Sequence, residues 1–306
     1  MPMLESGCSP PQARHARLAN RTIKMISSCG FDSVPADLSA FAVADYINTK
    51  LSARTGRVDY SVHEIKGSAS GGTILTSLNT LERYSLSQLA KIFSPFSLAP
   101  RLPNRTRPEQ KPSVWARFLG LRKVLGLGWM GINPQGIIDR ALVGRSWGLL
   151  ADDDDQAYGE NFDFQAWMRM PGPVSAVAWH LTLYTALALL CMPPVRWLLK
   201  KAWFKSGDGP DEAFRSKCSF VVRTRAAVDG GDGTDGKHVE GKMTCGIDPY
   251  TFTGVSLAET ALLLARDMGV QTKLQGGGLL TTALLGRELL ESLGKYDFKI
   301  EVKEVV

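Results

Sequence analysis

Between Ile23 and Leu51 the chain must finish a strand, turn and start a helix within a handful of residues. "IKMISSCGF" (23–31) is apolar at Ile23, Met25 and Ile26 and small thereafter, which predicts a short buried strand. "SVPADLSAFAVADYINTKL" (33–51) follows with Leu38, Phe41, Ala42, Ala44 and Ile47 near helical spacing. Asp32 or Ser33 can cap that helix, and Pro35 falls in the first turn, where its missing N–H costs nothing. Gly30 lets backbone approach a flat ring because no Cβ intervenes. Asp32 and Ser33 can hold the turn or bind ligand hydroxyls.

Downstream, "DYSVHEIKG" (59–67) alternates as a strand does, "SASGGT" (68–73) turns the chain, and 74–93 reads as an amphipathic helix. Residues 94–113 are rich in Pro and Arg and read as a loop, and 115–131 as a helix interrupted by glycines. Residues 161–170 read as a strand, and 219–228 with 238–247 as a hairpin across "DGGDGTDGK". Helices over 255–268 and 279–294 and a strand over 296–305 complete the pattern. Strands and helices in this mixed order predict an α+β fold, a largely antiparallel sheet with helices on one face. A Gly-x-Gly-x-x-Gly opening a βαβ unit is absent: "GSASGG" has the wrong spacing, and "GGG" (276–278) follows no obvious strand.

Charge is unevenly placed. Residues 91–150 carry ten Lys or Arg against Glu109 and Asp139, and Asp152 to Asp155 then reverse the sign. Such a basic field can attract nucleic acid, anionic lipid or a phosphorylated cofactor. No nucleic-acid module signature accompanies it, so no nucleic-acid partner is expected. Five scattered cysteines without a Cys-x-x-Cys pair argue against a disulfide framework and a zinc site, and for an intracellular, reducing compartment. No metal site is expected: "DGGDGTDG" lacks the distal Glu of a calcium loop. His15, His63, His180 and His238 have no partners at ligand or triad spacing and read as structural. Gly71, Gly72 and Thr73 open a helix whose N–H groups could meet an anion or carbonyl on the substrate side, or simply form a turn.

Five motifs in order carry a family resemblance. "SCGFDSVPADL", "SASGGT", "GDGPDEAFRSKCSFVVR", "DPYTFTGVSLAETALLLARD" and "GGGLLTTALLGRELLESLGKYDFKIEV" together resemble the saccharopine dehydrogenase-like oxidoreductases, a family that includes the mycobacterial trans-acting enoyl reductases. The likeness runs over residues 22 to 304. It implies NAD(P)H-dependent reduction of a lipid-linked enoyl or carbonyl group, with Cys29, Gly30, Phe31, Asp32 and Ser33 on the cofactor side. Family members place a nucleotide-binding domain of roughly a hundred or more residues before the Cys-Gly-Phe-Asp-Ser segment. Here some twenty residues precede it. The expected organisation is therefore a disordered leader (1–22), a remnant of a Rossmann domain (23–51) and a substrate-side domain (52–306). Such a chain would be truncated, inactive alone and a weak binder of NAD(P), with Ile23, Met25, Ile26 and Phe31 left exposed. The rival reading is a non-catalytic lipid-droplet or membrane-associated interaction protein, and a homo-oligomer is a further partner to consider.

Residues 170–195 contain no Asp, Glu, Lys or Arg. From Val174 to Met192 the run approaches the length of a bilayer span, and "RWLLKKAWFK" follows it. Trp179, Tyr184, Arg196, Trp197, Lys200, Lys201 and Trp203 then suit an interfacial anchor within 174–205. A core helix and a spanning helix are the alternatives. Association with a lipid surface, whether lipid droplet, mitochondrion or inner plasma membrane, is the expectation.

Overall fold

A computed structural model describes residues 23–66, 71–106, 114–153, 157–202, 211–229, 237–274 and 276–305. The chain opens with β1 (Lys24–Ile26), α1 (Val34–Leu51), β2 (Arg54–Lys66), α2 (Gly71–Arg83) and α3 (Leu86–Ile92). Next come α4 (Val114–Phe118), β3 (Arg122–Val124), β4 (Gly128–Ile132), α5 (Gly136–Leu150), β5 (Asp163–Met170), α6 (Pro173–Leu190) and α7 (Pro193–Ala202). It closes with α8 (Glu212–Arg215), β6 (Ser219–Asp229), β7 (His238–Cys245), α9 (Pro249–Arg266), α10 (Met268–Lys273), β8 (Gly278–Leu280), a 3-10 turn (Thr282–Leu284), α11 (Gly286–Leu293) and β9 (Phe298–Val305).

Seven strands pair in the order β3-β4-β5-β2-β6-β7-β9, antiparallel except where β2 meets β5. The α+β expectation holds in this mostly antiparallel sheet. Alternation along the strands sends Val58, Tyr60, Phe164, Phe220, Val222, Val239 and Met243 to one face, where they join the main core. Arg57, Asp59, Arg225 and Glu240 take the opposite face. β1 pairs in parallel with β8 in a separate two-stranded sheet.

Several expected elements are placed differently. Residues 115–131 form a helix only as far as Phe118, and the β3–β4 hairpin replaces the rest. Gly120, Gly126 and Gly128 adopt positive φ (65°, 79° and 96°), which a helix cannot contain. The helix expected over 74–93 is broken at Ser85, whose hydroxyl and Gln88 form a capping box that starts α3. The helix expected over 279–294 becomes strand, 3-10 turn and α11, separated at Gly286 (φ 47°), where a Cβ would lie 2.6 Å from Phe41 Cζ. Gly278, in the "GGG" set aside above, begins β8. α9 starts earlier than expected because Asp248 accepts from the backbone N–H groups of Tyr250 (2.9 Å) and Thr251 (3.2 Å), with Pro249 at the first helical position.

α1, grouped by sequence with β1, packs as the central helix on the inner face, touching β2, β6, β7, β9 and α5. Its first turn carries Asp37 into the core. Thr282 Oγ1 (2.8 Å) and the Ala283 N–H (2.7 Å) donate to one carboxylate oxygen, and Ser146 Oγ donates to the other. Ser146 also meets Thr281 Oγ1 at 2.7 Å. One carboxylate thus joins α1, α5 and the 3-10 turn. Replacing Asp37 with Ala would leave buried donors unmet, at about 1–3 kcal/mol each. Urea denaturation should show Asp37→Ala losing about 2–5 kcal/mol, and Asp37→Asn less, because its amide oxygen still accepts.

Candidate functional site

The 29–33 turn is docked against α9. Gly30 O accepts from the N–H groups of Ser33 (3.2 Å) and Val34 (2.9 Å), which closes the turn. A Cβ on Gly30 would stand 2.9 Å from Thr253 Cγ2, and Phe31 N–H donates to Thr253 Oγ1 at 3.0 Å. The Phe31 ring meets Phe220 at 4.8 Å between centroids and Phe252 at 6.5 Å. Cys29 and Ser33 are buried, and Ser33 occupies the N-cap of α1 without a side-chain capping bond. Burial pushes the Cys29 thiol up, away from nucleophilic use. Of the five residues assigned to the cofactor side, Asp32 alone has an exposed side chain. The close approach that Gly30 permits is taken up by Thr253. Ile23 and Met25 are exposed although β1 pairs with β8, whereas Ile26 packs against the main core and Phe31 is held in the aromatic cluster, so the exposure expected of all four is not found.

Beneath the turn lies an acidic group on α5. Asp139 is buried, and burial together with the nearby Asp32 and Asp37 holds its carboxyl well above the usual carboxylate range. Its Oδ1 has no hydrogen-bond partner among the described residues. Tyr60, on the inner face of β2, is raised by burial and by Asp139. A carboxyl held so far up keeps its proton to higher pH than an exposed one, and in that form it can donate a hydrogen bond or a proton.

Where β1 ends, Ser27 and Ser28 lead into a largely apolar cleft of about 120 Å³ walled by Phe93, Ile138, Leu142 and Leu279. Arg145 forms its floor. Its guanidinium donates to Leu98 O (2.6 Å) and to Leu279 O, tying the 94–98 loop to β8. Asp139 and Ser146 lie two turns apart on α5, and Ile138, Ala141, Leu142 and Arg145 form the neighbouring stripe that faces the cleft.

No family model matches the chain. A candidate trans-acting enoyl reductase of Mycobacterium tuberculosis is 28% identical over 293 residues, covering 91% of this chain and 67% of the relative. The trans-acting enoyl reductases of Mycobacterium ulcerans and Mycobacterium bovis are 26% and 24% identical, again across 91% of this chain and 67% of theirs. The chain is a distant homologue of trans-acting enoyl reductases.

The other sequence candidates lie apart from the cleft. α2 begins at Gly71, and Thr76 Oγ1 donates back to Gly72 O (2.8 Å). The side chain of Thr73 lies outside the described residues, as does Trp203. Trp179 packs on Gly131 and donates to Ile132 O at 2.8 Å, so it fastens α6 to β4. Arg196 donates to Leu190 O (2.9 Å) and Cys191 O (3.2 Å), and Lys200 to Asn79 (2.6 Å) and Glu82 (2.7 Å). Lys201 sits 4.9 Å from the centroid of the Trp197 ring. Tyr184 and Trp197 are 57% and 61% exposed, which leaves them, and not Trp179, available to an external surface.

Asp139, Arg145 and Ser146 were not picked out by sequence, because "GIIDRALVGRSWGLL" carries polar residues on a face that sequence alone would place toward solvent. The Asp139–Ser146 spacing of seven was the available signal. Because the folded carboxyl of Asp139 is raised, the folded chain binds an extra proton above the unfolded pKa. Its contribution is full below that pKa and is lost as pH rises through the folded one. Asp139→Asn should therefore gain stability relative to the parent as pH rises from about 4, the ordinary carboxylate range, toward neutrality. Thermal melts across that range check the difference, and parallel profiles would contradict it.

Proposed function

We propose that this chain forms the substrate side of a saccharopine dehydrogenase-like oxidoreductase that reduces an enoyl or carbonyl group on a lipid-linked substrate. The supporting observation is that homology along 91% of the chain coincides with an apolar cleft floored by a buried arginine. In the family NAD(P)H supplies the hydride. What the chain's own residues do is simpler. Ile138, Leu142 and Leu279 take an apolar segment of substrate out of water, and Arg145 fixes the walls through two backbone carbonyls. Asp139, whose carboxyl is held well above the usual carboxylate range by burial and by Asp32 and Asp37, is the nearby group that can hold a proton. Tryptophan-fluorescence titration with a medium-chain enoyl thioester should show saturable binding. Ala141→Trp, which fills the cleft, should weaken it at least about tenfold, since lost apolar burial of a few methylenes is worth that much. Binding that is absent, or indifferent to the filled cleft, would count against this function.

A second reading, membrane or lipid-surface association, is favoured by α6. It is the one helix among the described residues long and apolar enough to cross a membrane, yet only 11% of it is buried. A core helix would be mostly buried. At ~1.5 Å per residue it reaches about 27 Å, just short of the ~30 Å hydrocarbon layer. Leu181, Tyr184, Leu189, Trp197 and Leu198 are exposed on α6 and α7. We expect these two helices to lie against a lipid surface with their apolar side chains as the main contact, because Arg196 and Lys200 are engaged inside the protein. In flotation with phosphatidylcholine vesicles, Leu181→Asp with Leu198→Asp should abolish partitioning, while Lys201→Glu should reduce it slightly. Undiminished flotation of the double variant would rule this surface out.

A further inference from the structure

The outer face of the sheet holds a second concavity that the reductase reading does not use. It has a volume of about 230 Å³, and Arg57, Asp59, Arg122, Lys123, Arg225 and His238 are among the residues that line it. Strand register explains why they meet. Asp59 on β2 lies beside Arg225 on β6, and Arg225 lies beside Glu240 on β7. Arg57, two residues before Asp59 and so on the same face, forks onto that carboxylate at 2.8 and 2.9 Å. Arg225 Nη1 donates to Glu240 Oε1 at 2.8 Å.

The β3–β4 hairpin arches over this row. At its tip Gly126 comes so close that a Cβ would stand 2.4 Å from Glu240 Oε1 and 2.7 Å from Arg225 Nη1. Beneath it Val124, Leu127 and Met130 form a small separate core with Trp167. The hairpin carries Arg122, 4.5 Å from the Trp167 ring centroid, and Lys123, 5.7 Å from that of Trp129. Trp167 Nε1 in turn donates to Asp59 Oδ1 at 2.8 Å, so the ring that supports Arg122 is itself fixed.

Four cations line the cleft against the carboxylate of Asp59, with those of Glu240 and Asp163 beside it, so positive charge remains in excess. The carboxylates of Asp59 and Glu240 are committed to Arg57 and Arg225. Arg122 is held below the usual guanidinium range by burial and by Arg57. His238, in the wall of the cleft, is held low by burial and by Arg225, partly offset by a hydrogen bond with the Ala226 backbone. Crowded, half-desolvated cations gain most from an anion that brings several acceptor oxygens.

We propose that this cleft binds a phosphoryl group, contacted by Arg122, Lys123 and His238. A guanidinium matches two phosphate oxygens at once, and a neighbouring ammonium and imidazole supply the rest. The volume admits a phosphate and a short continuation but not a whole cofactor, so the group is the end of a larger molecule. That molecule is either a soluble phosphate ester or an anionic lipid headgroup.

The indole N–H resonances of Trp129 and Trp167 report on the cleft. Inorganic phosphate and glycerol phosphate should shift them saturably, while chloride at equal ionic strength should not. Arg122→Gln should weaken either ligand at least about tenfold, as loss of a charge-assisted hydrogen bond does. Lys123→Gln, an exposed position, carries the same test should Arg122→Gln disturb folding, and Lys50→Gln on α1 serves as the control that changes nothing. Co-sedimentation with phosphatidylcholine vesicles, with and without phosphatidic acid, separates the sources. Stronger binding to the acidic vesicles that Lys123→Gln removes identifies a headgroup, and stronger binding to glycerol phosphate identifies a soluble ester. No shift with any phosphate probe, or shifts that survive both cleft variants, would overturn the proposal.

Discussion

A carboxylate without water must find every hydrogen bond inside the protein, and Asp37 finds its partners on two other elements. α5 supplies Ser146, and the 3-10 turn supplies Thr282 and the Ala283 N–H. Burial alone raises the Asp37 carboxyl, and these donors pull it back. Breaking any one of them leaves a polar group stranded in an apolar core, so the arrangement is held as a unit. α1 depends on it for position, and through α1 so do the sheet's inner face and the 29–33 turn. α5 depends on it too, which sets Asp139 beside Tyr60 and Arg145 at the base of the cleft. The 3-10 turn follows β8 directly, so the same carboxylate steadies the β1–β8 pair.

The sheet divides the chemistry between its faces. The inner face buries α1 and the aromatic cluster of Phe31, Phe220, Phe252 and Phe298. The outer face keeps its charges in cross-strand pairs, and the glycine-bearing hairpin covers them while adding more cations. β4 of that hairpin also receives α6: Trp179 bonds to Ile132, and His180 lies so near Gly120 that a Cβ there would be 2.4 Å from Nδ1. A basic cleft and an apolar helix are therefore mounted on one short hairpin. Small changes in its glycines would disturb both.

Much of the fold was legible because local signals agreed. Pro35 beside a capping position marked the start of α1, and alternation marked β6, β7 and β9. The failures share a cause. Residues 115–131 have apolar spacing that suits a helix, and only the positive φ of three glycines, a tertiary outcome, makes them a hairpin. The 279–294 stretch is rich in Leu and Ala, but Leu279 and Leu280 are claimed by β1 and Gly286 by its contact with Phe41. Cys29, Gly30 and Ser33 stand on the cofactor side only through the family resemblance, and packing against α9 accounts for the glycine equally well. The acid cluster could not be read at all: Asp32, Tyr60 and Asp139 are far apart in sequence, and only the packing of α1 and α5 on β2 makes them neighbours.

The claim that Asp37 holds these elements as one unit is tested most directly by amide hydrogen exchange at Ala283, whose N–H is buried on that carboxylate. If the account is right, this amide exchanges only when the whole chain unfolds, as slowly as the interior amides of α1, and Asp37→Ala accelerates both together. Exchange at Ala283 as fast as at exposed loop amides, with α1 still protected, would show that the carboxylate does not link them.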